Sequence, residues 1–480
     1  MSGRRLRSRR ASTVLAAVLT CGLPVISEAG ALTVTAGQSE IIFDEHSGTP
    51  QRWVICAPDC NDDHALRNVL LAENNGYMRI TTPSGPGGVF NAVVEETDDA
   101  VIIRFTAATE RYTYRLSRKS PLVMLEIQAQ ARVEFATGAS FIPNQLPGFG
   151  QLYSRVNAVQ LSEQGQVIFD GPSSVQADST NWTGVRNRYW ALLAQPQDMR
   201  MMASLGLPET DRPVVTLSSA PESHSTVINL FAGPIERDIL APHPLLEELL
   251  FGALAEFFRV LCFGMLILLD LLYGLVGNYG ISIILLSLVV KILMSPLTAI
   301  AERWQQDVNR IQTLLRPGLD EIRRHHRGEK AHKLTLELYK RHDVSLWYTT
   351  KSAAGFLLQI PIFIAAFDML AENFALSETA FLWINDLSRP DALLQLPFNI
   401  PFFGDSLNLL PFLMAGLSIL AAWLQSNASL SPDLLREQRR RLYLMSAAFF
   451  LLFYTFPAGM VLYWTSSNLF HLLKMQLVNR

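Results

Sequence analysis

Charged residues and cysteines are both scarce in this chain of 480 residues. Asp, Glu, Lys and Arg make up 17% of the sequence and hydrophobic residues 49%, which is more apolar than an ordinary soluble protein of this size. Four cysteines are too few for a disulfide scaffold. The formal net charge of -3 says little, because the placement of Lys and Arg in loops matters more for a membrane protein. A membrane protein is therefore the first expectation.

Motifs of common enzymes are missing as well. The chain has no glycine-rich phosphate loop, no Gly-x-Ser-x-Gly turn and no His-Glu-x-x-His helix. His325, His326 and His332 lie close together in the sequence, but a chance cluster on an exposed helix explains them more simply than a metal site. We therefore expect no enzyme activity, no cofactor and no metal.

The apolar residues are unevenly distributed along the chain. Residues 30–240 contain short alternating runs, such as 100–105 and 122–127, between clusters of Gly, Pro, Asn and Asp. This pattern predicts an antiparallel β-sandwich of about 200 residues, which is large enough to bury its own core. The long apolar runs follow it, and each is predicted to be a membrane-spanning helix. They cover residues 277–300, 353–371, 407–425, 443–456 and 457–474.

The first 29 residues have the pattern of an export signal. Five Arg residues precede an apolar run at 11–27, which indicates either a retained signal anchor or a signal peptide cleaved near Ala29. Lipidation at Cys21 is a third alternative. In each case the positive-inside rule places the start of the chain in the cytoplasm and residues 30–240 in the periplasm.

Residues 245–276 are apolar but interrupted by charged residues. The spacing of these charged residues gives a helix with one polar face and one apolar face. The pattern predicts a helix lying along the outer membrane surface. A further membrane span is the alternative, but it would invert every later loop against the positive-inside rule. The interrupting residues are Glu247, Glu248, Glu256, Arg259 and Asp270.

Residues 301–352 are basic and show helical periodicity, with a turn expected near 326–328. They predict a cytoplasmic helical hairpin. Its basic side chains suit ribosomal RNA, anionic lipids or acidic targeting factors, and a merely solvated face is the alternative. The candidate contact residues are Arg323, Arg324, Arg327, Lys330 and Lys333.

Cys56 and Cys60 lie four residues apart in the sequence Cys-Ala-Pro-Asp-Cys. In an exported domain this spacing fits either a local disulfide or two free thiols. Zinc is disfavoured, because no second cysteine pair or paired histidines accompany them.

Four stretches, taken in order, carry a resemblance to a known family. They are residues 277–298 (GNYGISIILLSLVVKILMSPLT), 358–363 (LQIPIF), 381–391 (FLWINDLSRPD) and 456–469 (FPAGMVLYWTSSNL). Together they resemble the YidC/Oxa family of membrane-protein insertases. Residues 181–189 (NWTGVRNRY) and 231–234 (FAGP) resemble parts of the periplasmic domain that Gram-negative members carry.

The resemblance implies a polytopic α-helical membrane protein. Its parts are a signal anchor or signal peptide, a periplasmic antiparallel β-supersandwich, a surface helix, a five-span insertase core at 277–480 and a cytoplasmic helical hairpin. It also implies a hydrophilic groove with a cation, which is usually Arg in the family and is Lys291 here. Lys291 snorkelling to the cytoplasmic surface is the alternative.

Polar residues within the apolar segments are the remaining candidates for this groove, although each also suits helix packing. The candidate groove residues are Lys291, Ser287, Gln359, Asn408, Gln425, Tyr463, Trp464 and Asn468.

The implied function is insertion and folding of membrane proteins in the inner membrane, alone or with the Sec translocon. Nascent membrane proteins, the ribosome and anionic lipids are the expected partners, and DNA is not. A secondary transporter and an envelope-assembly scaffold are the alternatives. No inverted repeat is visible among the predicted spans, which disfavours the transporter.

Overall fold

The computed structural model describes residues 30–71, 80–81, 90–129, 133–138, 146–198, 200–206, 213–219, 225–252, 254, 256–345, 357, 359–424 and 432–478. The expected signal segment at 1–29 and the candidate groove residue Gln425 lie outside these ranges.

The segment that the alternating pattern marked as β-structure folds into 18 described strands. They are β1 Ala31–Ala36, β2 Ser39–Asp44, β3 Thr49–Ala57, β4 Leu66–Leu71, β5 Ile80–Thr81, β6 Asn91–Glu96, β7 Ala100–Thr106, β8 Glu110–Ser117, β9 Leu122–Ala129, β10 Glu134–Gly138, β11 Asn157–Ser162, β12 Gly165–Phe169, β13 Ser173–Ala177, β14 Trp182–Arg186, β15 Trp190–Pro196, β16 Met201–Gly206, β17 Val214–Ser218 and β18 Ser225–Pro234. The predicted antiparallel β domain is thus confirmed.

These strands form three antiparallel sheets among the described residues. A nine-stranded sheet runs β12-β11-β14-β15-β18-β9-β8-β7-β6, a five-stranded sheet runs β13-β16-β17-β10-β5, and a four-stranded sheet runs β1-β2-β3-β4. Phe43, Trp53, Phe105 and Tyr114 are fully buried in the core between the sheets. Cys56 and Cys60 are bonded to each other at the end of β3, with 5.0 Å between their Cα atoms.

The middle of the nine-stranded sheet is buried on both faces. Every residue of β14 and β15 is buried, which is typical of a strand covered on two sides. One face packs in the sandwich core, and on the other Trp182, Leu193 and Phe231 share a core with the helices that follow. The β domain is therefore packed directly on the helical region.

Gly184 in β14 offers a test of this close packing. A Cβ at this position would clash with the backbone of Leu192 and Leu193 in β15. We expect Gly184→Ala to destabilise the chain by about 1–3 kcal/mol, as overpacking usually does, and to lower the Tm of the full chain in detergent. Gly206→Ala is the matched control, since it lies in β16 with nothing within 4 Å. Equal Tm values for the two variants would contradict this packing.

The helices and one further hairpin follow the β domain. They are α1 Arg237–Leu240, α2 Glu256–Val276, α3 Tyr279–Leu293, α4 Ser295–His325, α5 Gly328–Arg341, α6 Ile360–Glu372, β19 Leu394–Ile400, β20 Gly404–Leu407, α7 Leu409–Leu424, α8 Pro432–Phe453 and α9 Ala458–Val478. Three short 3-10 helices accompany them at Gly148–Tyr153, Leu246–Leu249 and Phe374–Leu376.

The apolar run at 277–300, predicted to be one membrane-spanning helix, is divided between two helices. α3 ends at Leu293, and α4 continues after a bend of 59°. Pro296 stands in the first turn of α4, where its missing N–H needs no intrahelical partner, whereas a straight continuation of α3 would bring its ring against the carbonyl four residues earlier. The helix is therefore redirected at Met294.

The predicted helical hairpin is formed by α4 and α5. Gly328 begins α5 at a φ of +63°, which favours glycine. Gly318 allows the two helices to approach, since a Cβ there would lie 2.9 Å from Leu338 Cδ2. The five candidate contact residues, Arg323, Arg324, Arg327, Lys330 and Lys333, are all exposed near the turn.

By length and composition, the predicted count of five spans is not confirmed. Within the described ranges, α2 is long and apolar enough to cross a membrane, and the bent pair α3–α4 would add a second span. α7 is apolar, but with 16 residues it falls short in length. α2 was predicted to be a surface helix. Its composition suits a membrane span as well, so its contacts must decide its position.

Candidate functional site

A cavity of about 690 Å³ lies between α3, α4, α9 and the start of α6. The bend at Met294 directs α4 away from the axis of α3, and residues of both helices line the cavity. Its lining is polar on α4 and α9 and apolar on α6. The lining residues are Ser287, Val290, Lys291, Met294, Ser295, Thr298, Ala301, Glu302, Gln305, Gln359, Ile362, Phe363, Tyr463, Trp464, Ser467, Asn468, His471 and Lys474.

Lys291 is on the wall of this cavity, near the end of α3. Its Nζ donates to the backbone oxygen of Ser467 at 2.9 Å and lies 3.4 Å from the Ser467 hydroxyl oxygen, both on α9. Among the described residues no carboxylate lies within ion-pair distance of Lys291. The ammonium is thus held towards the cavity by neutral oxygens, and its charge is available to an anionic group.

A second lysine lies nearer to solvent. Lys474 Nζ is 3.0 Å from Glu302 Oε1, and both side chains are exposed. An exposed pair of this kind contributes little to stability. The two lysines therefore differ, because Lys474 has a carboxylate partner and Lys291 does not.

The polar lining of α9 follows helical spacing. Trp464, Asn468, His471 and Lys474 recur every three or four residues and share one face of the helix. The sequence reasoning missed Ser467, His471, Lys474 and Glu302. The regular spacing on α9 was a signal that would have found His471 and Lys474.

Most of the other candidate groove residues also line the cavity. Ser287, Gln359, Tyr463, Trp464 and Asn468 all do so. Asn468 combines this position with helix packing, since its Nδ2 donates to Ser418 Oγ on α7 at 2.8 Å. The Ser287 hydroxyl donates to the Ile284 oxygen of its own helix at 2.8 Å.

Asn408 was predicted to line the groove, and this was wrong. It lies just before α7, buried outside the cavity. Its Nδ2 donates to the Tyr454 oxygen at 2.7 Å, and its Oδ1 accepts from the Ala392 backbone at 3.0 Å. The Asn408 amide therefore joins the segment before β19 to the end of α8, away from the cavity.

Aromatic side chains close the cavity on the side facing the β domain. Trp464 packs against Phe363 at a centroid distance of 4.7 Å and against Phe449 and Phe453 at 5.2 and 5.4 Å. Such aromatic clusters bury a large apolar area, so the cavity wall is apolar on this side.

The β domain is fixed above the cluster by two arginines of the 181–189 stretch, of which Arg186 is buried and Arg188 is half-buried. Arg186 donates to the Leu249 oxygen at 2.7 Å and pairs with Glu372 of α6 at 3.3 Å. Arg188 donates to the backbone oxygens of Ala371 and Ser388. These contacts hold the β domain against the end of α6.

Two tyrosines complete this junction. Burial raises the pKa of Tyr153 and of Tyr189 to about 12, so both hydroxyls stay protonated at neutral pH. The Tyr189 hydroxyl donates to the Ala371 oxygen at 3.4 Å, and Arg188 stacks over its ring. Neither tyrosine is poised for acid–base chemistry.

Within the described ranges no group of three or more His, Cys, Asp or Glu side chains is placed to hold a metal ion.

Residues 271–480 match the model of a family described as 60Kd inner membrane protein. The chain is 25% identical over 348 residues to a membrane protein insertase YidC of Treponema denticola, covering 67% of this chain and 58% of that protein. It is 31% identical over 264 residues to a membrane protein insertase YidC of Syntrophobacter fumaroxidans, covering 54% and 44%. Its C-terminal part is therefore similar to the membrane protein insertases named YidC.

The chain spans about half the length of the curated relatives that it matches. A crystal structure of an active YidC insertase with the first transmembrane domain resolved is 16% identical, with coverage of 94% and 93% and a TM-score of 0.38. All helices that line the cavity lie within residues 271–480, which match the model of the 60Kd inner membrane protein family.

Proposed function

We propose that this chain inserts other proteins into the inner membrane and helps them fold, using the cavity between α3, α4, α6 and α9 as a hydrophilic groove. The observation that carries the proposal is Lys291. A lysine in an apolar helix costs about 2.5–3.5 kcal/mol to place at the membrane centre. Its orientation towards a cavity, without a carboxylate partner, supports a role in attracting the acidic or polar tail of a substrate.

The proposed mechanism has no chemical step. α3 has 15 residues and is about 22 Å long, compared with about 30 Å for the hydrocarbon core. A water-filled cavity beside so short a helix reduces the apolar distance that a hydrophilic tail must cross. The apolar segment of the substrate then enters lipid, which the hydrophobic effect favours.

In the proposed topology α3 and α6–α9 cross the membrane, the β domain is periplasmic, and α2 lies along the outer surface. Contacts at both ends of α2 support its position. Near its start, Arg259 donates to Glu248 at 2.7 Å, and near its end Asp270 faces Arg237 across a shared cavity. Arg237 and Glu248 belong to the short helices that connect the β domain to α2, so these contacts support a position of α2 close to that domain.

The exposed basic turn of the hairpin is the proposed site of contact with the ribosome. We expect replacement of Arg323, Arg324, Arg327, Lys330 and Lys333 by Gln to weaken ribosome binding to the chain in nanodiscs by more than about tenfold and to flatten its salt dependence, because fewer phosphates are neutralised. Cosedimentation across a salt series measures both.

The matched control replaces exposed basic residues of the β domain, Arg104, Arg111 and Lys119, and should leave binding unchanged. Equal binding by the hairpin variant at every salt concentration would mean that the turn is only a solvated face.

Reconstitution of the purified chain in liposomes tests the proposed function. The substrate is a short single-span protein with an acidic outer tail, and protease protection measures its insertion. Insertion above that of empty liposomes supports the proposal. Insertion equal to that of empty liposomes, with correctly oriented protein, would contradict it and favour a scaffold for envelope assembly.

A further inference from the structure

The hairpin of β19 and β20 lies immediately before α7 and is unusually apolar. Residues 392–404 contain no Asp, Glu, Lys or Arg. Several of its large side chains are turned outward: Leu394, Phe398 and Phe402 are 58%, 60% and 48% exposed. Exposed apolar side chains that form one continuous surface usually mark an interaction site.

The hairpin is fixed in place at its base. The Tyr454 hydroxyl donates to the Ser406 oxygen at 3.1 Å, and the rings of Phe403 and Tyr454 are 5.3 Å apart. Asp391 Oδ2 accepts from the backbone nitrogens of Leu409 and Leu410 at 2.7 and 3.0 Å, which fixes the connection to α7. The exposed phenylalanines are therefore held outside the core by the fold.

The β domain adds to the same surface through its 3-10 helix Gly148–Tyr153. Phe149 packs edge-on against Phe402 at 4.9 Å, and a Cβ at Gly148 would clash with the Phe402 backbone. Phe149 and Leu152 are themselves exposed. We call Phe149, Leu152, Leu394, Phe398 and Phe402 together the outer apolar surface.

We propose that the outer apolar surface is immersed in the outer leaflet of the membrane, and that it ties the β domain to the bilayer. This rests on the proposed topology, in which α7 crosses the membrane. β20 ends at Leu407 and α7 begins at Leu409, so the hairpin emerges where α7 meets the outer interface.

Two features favour lipid as the occupant. Phe412 and Leu413, on the first turn of α7 just after the hairpin, are exposed as well. No charged residue interrupts residues 392–404, so Asp405 of β20 is the nearest exposed charge on the hairpin, and aromatic side chains are enriched at membrane interfaces.

Fluorescence quenching in nanodiscs tests this placement. Phe398→Cys is labelled with an environment-sensitive fluorophore, after replacement of Cys21 and Cys262 by Ala. Val93→Cys, exposed on the edge strand β6, is the control. A nitroxide attached near the lipid headgroup should quench position 398 about twofold more than position 93, whereas aqueous iodide should quench position 93 more.

Equal iodide quenching at both positions would overturn the proposal. Protection of position 398 from both quenchers would also overturn it, since a second copy or another protein would then cover the surface. The readout is independent of substrate insertion. Failure of the proposed function would appear in the liposome assay, and failure of this inference only in the quenching.

Discussion

Lys291→Glu is expected to lower insertion of a single-span substrate with an acidic outer tail by at least about tenfold, which corresponds to about 1.4 kcal/mol. A carboxylate on the cavity wall would repel the tail that the ammonium attracts. Lys291→Arg should keep insertion within about twofold, because it keeps the charge and offers more donors. Initial insertion rates in proteoliposomes measure both.

Lys474→Gln is the matched control for Lys291. It removes a cation that lines the same cavity but is exposed and paired with Glu302, so we expect insertion close to that of the original chain. Full insertion activity of the Lys291→Glu variant would contradict the account, because insertion would then not depend on the charge of the cavity wall. Equal losses for a substrate with a basic tail would show a structural defect rather than a lost attraction.

Arg186→Met is expected to destabilise the chain by about 3–5 kcal/mol, because it leaves the Glu372 carboxylate at the domain junction without its cation. Arg186 is only 6% exposed and also donates to the Leu249 oxygen. Thermal unfolding of the full chain in detergent measures the loss. The double variant Arg186→Met with Glu372→Gln should recover much of it, since no charge is then left unpaired.

An exposed arginine provides the comparison for Arg186. Arg104 pairs with Glu95 at 2.9 Å across β6 and β7, with both side chains exposed, so Arg104→Met should cost less than about 1 kcal/mol. Similar losses for Arg104→Met and Arg186→Met would contradict a buried ionic junction between the β domain and α6.

Local patterns predicted the β domain well because each strand carries its own period. Runs at 100–105 and 122–127 became β7 and β9, and their alternate residues are buried. Contacts between residues far apart in the sequence determined which of the predicted groove residues line the cavity. Asn408 and Asn468 have the same side chain, yet only Asn468 reaches the cavity, because Tyr454 engages Asn408 from 46 residues away.

The bend between α3 and α4 was readable in part. Pro296 was visible, but hydropathy continues through it to residue 300, and an average over the window hides a local break. The domain junction was less accessible. Arg186 and Arg188 bind α6 residues more than 180 positions away, and no local pattern specifies such a partner.

Photo-crosslinking from the cavity wall tests the central claim most directly. A crosslinking residue at Gln359, exposed at the cavity, is compared with one at Phe412, exposed on α7 outside it. During insertion by the reconstituted chain, the groove account predicts crosslinks from position 359 to the polar tail of the substrate, and few from position 412. Tail crosslinks from position 412 with none from position 359 would contradict passage through the cavity.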